Sequence, residues 1–164
     1  MKFDTTIVQA RYQSPLGPMI VAATARGLAG VWFEGQRHMP DHSNWPLQPD
    51  HPVLRQAQAQ LAEYFAGTRS GFDLPLDLQR GTAFQRSVWA ALLAIPRGGT
   101  TSYATLSRNI GQPAAVRAVG AAVGRNPLSI VVPCHRVLGA DGSLTGYAGG
   151  LERKTALLRL EGVT

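Results

Sequence analysis

The chain has 164 residues and a formal net charge of +6 at pH 7, with 45% hydrophobic and 16% charged residues. That balance excludes a disordered chain, and the apolar runs are too short for a membrane span. The start, Met1-Lys2-Phe3-Asp4-Thr5, lacks the apolar core of a secretory signal, and the single cysteine excludes an internal disulfide. A reducing, cytoplasmic setting is therefore expected.

Charge is uneven along the chain. Residues 1–80 carry seven basic and seven acidic groups, whereas residues 81–164 carry nine basic and three acidic ones. The whole excess thus lies in the second half. A basic half suits a polyanionic partner, nucleic acid above all, although 14 of the 16 basic residues are Arg and a generic arginine-rich composition would look the same.

In chain order, residues 6–33 read as a β-meander. Ile7–Tyr12 is strand-like, Ser14-Pro15-Leu16-Gly17 is a turn, Met19–Ala23 is a buried strand, and Arg26-Gly27 turns the chain into a third strand, Leu28–Phe33. Residues 34–52 lose periodicity and gather four prolines and His38, His42 and His51. This is a long loop whose unaligned histidines suit solvent better than a metal. Val53–Phe65 has helical apolar spacing closed by Gly67. Phe72–Leu78 alternates like a strand, with Pro75 placing it at an edge. Arg80-Gly81 reads as a hinge.

The second half opens with Thr82 as N-cap of a helix that carries Phe84, Val88 and Leu92 on one face. Ser102 caps a short helix with Tyr103, Leu106 and Ile110 on one side. After a turn at Gly111-Gln112, a helix is expected from Pro113 to about Val123. Two short helices joined by a glycine turn make a helix-turn-helix pattern. Val116, Val119 and Val123 should dock on the core. Ala114, Arg117, Ala121 and Gly124 would then form a small-residue face with one long cation, suited to close approach by a nucleic-acid backbone.

Ser129-Ile130-Val131-Val132 reads as a buried strand that stops at Pro133 and presents Cys134 at the wall of a pocket. On an extended strand His135 would point to the other face, so a proton relay through water is easier than a direct bond. A lone cysteine is also compatible with a small buried hydrophobe. Gly146-Tyr147-Ala148-Gly149-Gly150 lacks the ending of a phosphate loop, and its glycines suggest a backbone packed against a flat ligand. The last helix, Leu151 to Glu161, ends on a carboxylate that opposes the helix dipole. That asks for a specific partner, for which His135 is the candidate.

Pro133-Cys134-His135-Arg136-Val137, preceded by Arg117-Ala118-Val119-Gly120 and Arg125-Asn126-Pro127 and followed by Gly146-Tyr147-Ala148-Gly149-Gly150, resembles the O6-alkylguanine-DNA alkyltransferases. The resemblance covers Gly81 to Glu161 strongly. It reaches the first half more loosely, through Ser14-Pro15-Leu16-Gly17 and Tyr64-Phe65-Ala66-Gly67.

The resemblance implies an α/β (α+β) protein, with a ribonuclease-H-like domain at residues 1–80 and a winged helix-turn-helix domain at residues 81–164. It implies irreversible, single-turnover transfer of an alkyl group from O6-alkylguanine in double-stranded DNA to Cys134, after the nucleotide is flipped out. His135 would be the base acting through water, oriented by Glu161, and Asn126 would tie the recognition helix to the active-site turn. Tyr103 would turn the nucleotide and protonate the leaving base, and Arg117 would fill the gap in the duplex. Val123, Val137, Tyr147 and the amide of Ala148 would line the guanine pocket. Minor-groove docking by a monomer is expected, with no cofactor, metal or membrane. Cooperative assembly on DNA and acceptance of O4-alkylthymine stay open. Two other readings compete: a module that binds lesions without repairing them, and a cysteine hydrolase, which needs a Cys-His pair in direct contact.

Overall fold

The computed structural model describes residues 3–163, so Met1 and Lys2 of the N-terminal stretch considered above lie outside it, as does Thr164. The meander forms as the alternation predicts: β1 (Val8–Ser14), β2 (Gly17–Thr24) and β3 (Gly27–Phe33) pair antiparallel in sequence order. Side chains of period two divide between its faces. Met19, Val21, Val31 and Phe33 join the main core, while Ile7, Ile20, Ala22 and Trp32 form a second cluster on the other face.

Helix α1 (Pro52–Phe65) packs on all three strands and buries Leu54, Ala57, Leu61 and Tyr64. The 34–52 loop covers the other face, where the Trp45 and Trp32 ring centroids lie 5.7 Å apart. Gln9 pins that loop by donating from Nε2 to the carbonyls of His42 and Trp45 at 2.8 and 2.9 Å. The three histidines go to separate tasks: His42 bonds Gln9, His51 accepts from Val53 N at the start of α1, and His38 reaches the cavity described below. Among the described residues no group of three or more His, Cys, Asp or Glu converges.

Phe72–Leu78 is not the regular edge strand that its alternation predicts. It meets β3 at a single bridge, where Leu28 N donates to Pro75 O and Asp77 N donates to Leu28 O. Pro75 has no amide hydrogen to extend the ladder.

The second half contributes α2 (Ala83–Leu93), α3 (Tyr103–Asn109) and α4 (Val116–Gly124), which pack on one another. Thr82 caps α2 in a full capping box with Gln85. The helix buries Trp89 beside Val88 and Leu92, and Trp89 Nε1 donates to Ala122 O of α4 at 2.8 Å. α4 begins three residues later than expected, because residues 113–115 form a turn in which Ala115 N donates to Gln112 O. Val116 therefore sits exposed in the first turn, and the docking face is Val119, Ala122 and Val123.

A two-residue parallel pair, β4 (Thr101–Ser102) with β5 (Val137–Leu138), and α5 (Leu151–Leu160) complete the fold. One hydrophobic cluster runs through both halves, from Val8 to Leu157. Each large side chain fully buried in it contributes on the order of 1.5–3 kcal/mol. Among the described residues no helix is long and apolar enough to cross a membrane.

Candidate active site

The β-branched run before Cys134 is not a strand. Residues 129–132 form a buried coil with one bridge, from Leu128 to Val31 of β3. Val131 N donates to Ser129 O at 2.8 Å around Ile130, whose φ is +73°. This is the rare γ-turn of positive φ, held here by a β-branched residue, and such strain costs on the order of 1–3 kcal/mol. A second i to i+2 bond, from Cys134 N to Val132 O at 2.8 Å, closes a γ-turn of the common hand around Pro133, at φ −80° and ψ 64°.

Asn126 is what makes the coil tenable. Its Nδ2 donates to Val132 O at 2.8 Å, its Oδ1 accepts from Leu128 N at 3.0 Å, and its own amide donates to Val123 O of α4. One buried amide thus satisfies the coil's backbone and fixes it to the end of α4. Local β propensity loses to this network.

Cys134–Arg136 is a single 3-10 turn, so successive side chains point about 120° apart rather than to opposite faces. The result is the separation expected, reached by another geometry. Cys134 opens onto a cavity of about 320 Å3, while His135, fully buried, points away from it into the protein. Among the described residues Cys134 and His135 share no hydrogen bond.

Behind the thiol lies a closed polar cluster centred on Glu161. His135 Nε2 lies 2.7 Å from Glu161 Oε2. Arg136 donates to the same carboxylate twice, from Nε to Oε1 at 2.8 Å and from its terminal nitrogen to Oε2 at 2.9 Å. Tyr64, from α1 in the first half of the chain, donates its hydroxyl to Oε2 at 2.5 Å. Burial pushes the Glu161 carboxyl up, but the bonds from His135, Arg136 and Tyr64 outweigh it and hold the group well below the ordinary carboxylate range. Burial also raises Tyr64, as does the Glu161 charge, so the phenol stays protonated and donates.

An ionised carboxylate only accepts, so His135 carries its proton on Nε2. Its Nδ1 has no protein partner. The imidazole is held neutral chiefly by burial, with the charges of Arg136 and Lys154 adding to the effect against the pull of Glu161.

Burial likewise raises the Cys134 pKa, against the lowering effects of Asn126 and Lys154, so the resting group is a thiol. Lys154 is fully buried on α5, and burial brings its pKa down to about 8. Its ammonium donates to the carbonyls of Val137 and Thr145 at 2.7 Å and of Gly146 at 3.2 Å, stitching β5 to the glycine-rich loop. Glycine at 149 has a packing reason. A Cβ there would lie 2.7 Å from Tyr147 Cε2 and 3.0 Å from Phe33 Cδ2, so at Gly149 the backbone is pressed against aromatic side chains, while Gly146, Tyr147 and Ala148 of the same loop line the cavity.

Of the residues picked from sequence, the cavity wall brings together Tyr103, Val123, Cys134, Tyr147 and Ala148. Asn126, His135 and Glu161 stand behind it. Val137 is fully buried in the core beneath the wall, and its contact is with Lys154 through its carbonyl. Arg117 is exposed on α4, on the same stripe as Gly120, Ala121 and Gly124, which border the cavity.

Sequence reasoning missed Arg136, Tyr64 and Lys154 behind the thiol, and Arg37, His38 and Arg125 at the mouth. Arg136 had a signal, since it adjoins His135 in the motif. Tyr64 stands 97 residues from Glu161; it lies in the Tyr64-Phe65-Ala66-Gly67 match, which gives it no role.

The arrangement presents a thiol on the wall of a cavity of about 320 Å3 beside an exposed helix. A family model described as "6-O-methylguanine DNA methyltransferase, ribonuclease-like domain" matches residues 7–78. A second, the DNA binding domain of the same family, matches residues 83–163. A relative from Mycobacterium bovis, named methylated-DNA–protein-cysteine methyltransferase, is 50% identical over 90% of this chain and 88% of its own. One from Methanosarcina acetivorans with the same name is 47% identical over 93% of this chain and 97% of its own.

Among solved structures, the Mycobacterium tuberculosis OGT in complex with DNA superposes with a TM-score of 0.86 at 46% identity, covering 93% of this chain and 91% of that one. The O6-methylguanine-DNA methyltransferase of Pyrococcus kodakaraensis gives 0.67 at 25% identity, covering 96% and 99%. A lone thiol in a cavity between two halves, each matched along its length, leaves one conclusion: the chain belongs to the 6-O-methylguanine DNA methyltransferase family.

Proposed function

We propose that the protein repairs double-stranded DNA directly, moving the alkyl group of O6-alkylguanine onto Cys134 in a single, irreversible turnover. The observation that carries this is the position of Cys134, a buried thiol on the wall of a cavity, with a neutral His135 bonded to the ionised Glu161 behind it. In that geometry the sulfur attacks the alkyl carbon, the S–C bond forms, and the C–O6 bond breaks with its electron pair going to the guanine oxygen. The thiol proton leaves through water to His135 Nδ1, and the resulting imidazolium is stabilised by Glu161. Tyr103, on the cavity wall, protonates the departing base and regains a proton from solvent, while the His135 imidazolium releases the thiol proton to solvent. Val123, Tyr147 and Ala148 shape the pocket for the flipped guanine, and Val137 backs it from the core. Extrusion costs a few kcal/mol, less for a poorly paired damaged base. Arg117 fills the gap it leaves.

Docking through the small-residue stripe of α4 suits the minor groove, where a backbone must come close. The protein acts as a monomer. The chain divides at Arg80-Gly81 into a ribonuclease-H-like domain, 1–80, and a DNA-binding and transfer domain, 81–164; the limits of the two family models support this division. A reactive thiol with no disulfide partner in the sequence suits the reducing cytoplasm. A cysteine hydrolase is disfavoured, because no direct Cys134–His135 hydrogen bond is present among the described residues. The test is stoichiometric: with lesion duplex in large excess, the reaction should stop at one alkyl group per protein. Continued turnover would refute it.

A further inference from the structure

The mouth of the cavity carries charge that alkyl transfer does not use. Arg37 and His38, from the loop after β3, line it together with Arg125, the C-cap of α4. All three are exposed, and no Asp or Glu is among the lining residues. Glu34, three positions before Arg37, is paired with Arg11 at 2.9 Å instead. Among the described residues, neither Arg37 nor Arg125 has an ion-pair partner.

The loop is fixed where it stands. Gln36, 9% exposed, accepts from Phe33 N at 2.9 Å through Oε1, and Arg37 N donates to Ala148 O at 3.0 Å. His38 holds φ +60°, which non-glycine residues seldom adopt. His38 is also pushed below its ordinary pKa, first by partial desolvation and then by the charges of Arg125 and Arg37, which line the same opening. Like charges gathered without a counter-ion repel one another, and an anion relieves that repulsion.

We infer that Arg37 and Arg125 clamp the phosphates flanking the extruded nucleotide, so that the first half of the chain takes part in holding damaged DNA. The inference rests on the proposed alkyl transfer and extends it to residues outside the helix-turn-helix. Two guanidiniums from separate elements, both anchored through backbone bonds, can grip the DNA strand from two sides of one opening.

The test is the salt dependence of duplex binding. Arg37→Ala should lower the slope of log K against log salt by about 0.9, and the double change with Arg125→Ala by about 1.8. Transfer from a duplex carrying O6-methylguanine should fall several-fold more than transfer from the free base O6-methylguanine, which has no phosphate. An unchanged slope overturns the clamp. Equal losses on duplex and free base overturn it too, since they would make Arg37 a wall of the base pocket. If the wild type transfers nothing while the two substitutions still change the slope as stated, the clamp stands and the transfer reading falls.

Discussion

The two sides of Cys134 are built on opposite principles. Behind it, Glu161, His135, Arg136 and Tyr64 form a buried cluster in which one carboxylate accepts from three side chains. In front, Tyr103 and the α4 stripe open onto solvent, rimmed by exposed arginines without partners among the described residues. The rear is satisfied except at His135 Nδ1, the atom that takes the thiol proton, and the front is open. Burial makes each rear contact matter for both stability and chemistry, whereas the front can be altered with little effect on folding and a direct effect on DNA.

The sharpest way to separate the two sides is Cys134→Ser. Alkyl transfer should vanish while duplex affinity stays, measured by transfer of labelled methyl and by a binding titration. Loss of binding as well would mean that the thiol itself shapes the docking face.

Next in size is Glu161→Gln, which strands the Arg136 charge in the interior. Stability should fall by about 3–5 kcal/mol in urea unfolding. The sign with pH follows from the lowered carboxyl. Its contribution is complete above the unfolded value of about 4.3 and is lost as pH falls towards the folded one. The wild type should therefore lose stability more steeply than Glu161→Gln below about pH 4. Parallel curves would show that Glu161 is not ionised in the fold.

Tyr64→Phe is a smaller break in the same cluster. It removes one hydrogen bond to a charged group, worth about 1.5–3 kcal/mol, and leaves Glu161 held by Arg136 and His135. The rate of transfer should fall with it, although Tyr64 belongs to the half of the chain without the cysteine. Full activity at reduced stability would confine Tyr64 to a structural role.

The smallest effect on stability should come from Arg117→Ala, within about 0.5 kcal/mol by thermal unfolding. Its effect belongs to the front: transfer from duplex should slow about tenfold, near 1.4 kcal/mol of an extrusion cost of a few kcal/mol. A large loss of stability would place Arg117 in the fold rather than on DNA.

Legibility in the sequence divides along the same line. The meander, the caps at Thr82 and Ser102 and the helix that ends at Glu161 follow from short-range periodicity and capping. Cys134, His135 and Glu161 stood out because a thiol, an imidazole and a misplaced carboxylate are each unusual where they occur. The coil at 129–132 departs from the strand its β-branched residues favour locally, because the Asn126 network that overrides them depends on three-dimensional proximity. The roles of Tyr64, Lys154 and Arg37 are silent for a related reason: the Tyr64-Phe65-Ala66-Gly67 match says nothing of what the hydroxyl meets, and nothing local tells a buried Lys from a solvated one. Family resemblance pointed to the pocket but not to the loop at its mouth.

One measurement tests directly whether Cys134 is the acceptor. The protein is mixed with a duplex carrying a single O6-methylguanine, and its intact mass and tryptic peptides are then read. A single methyl on the peptide Asn126–Arg136, located on Cys134 and in proportion to lesion lost, is the predicted result. Lesion bound or consumed while Cys134 stays unmodified would contradict the account.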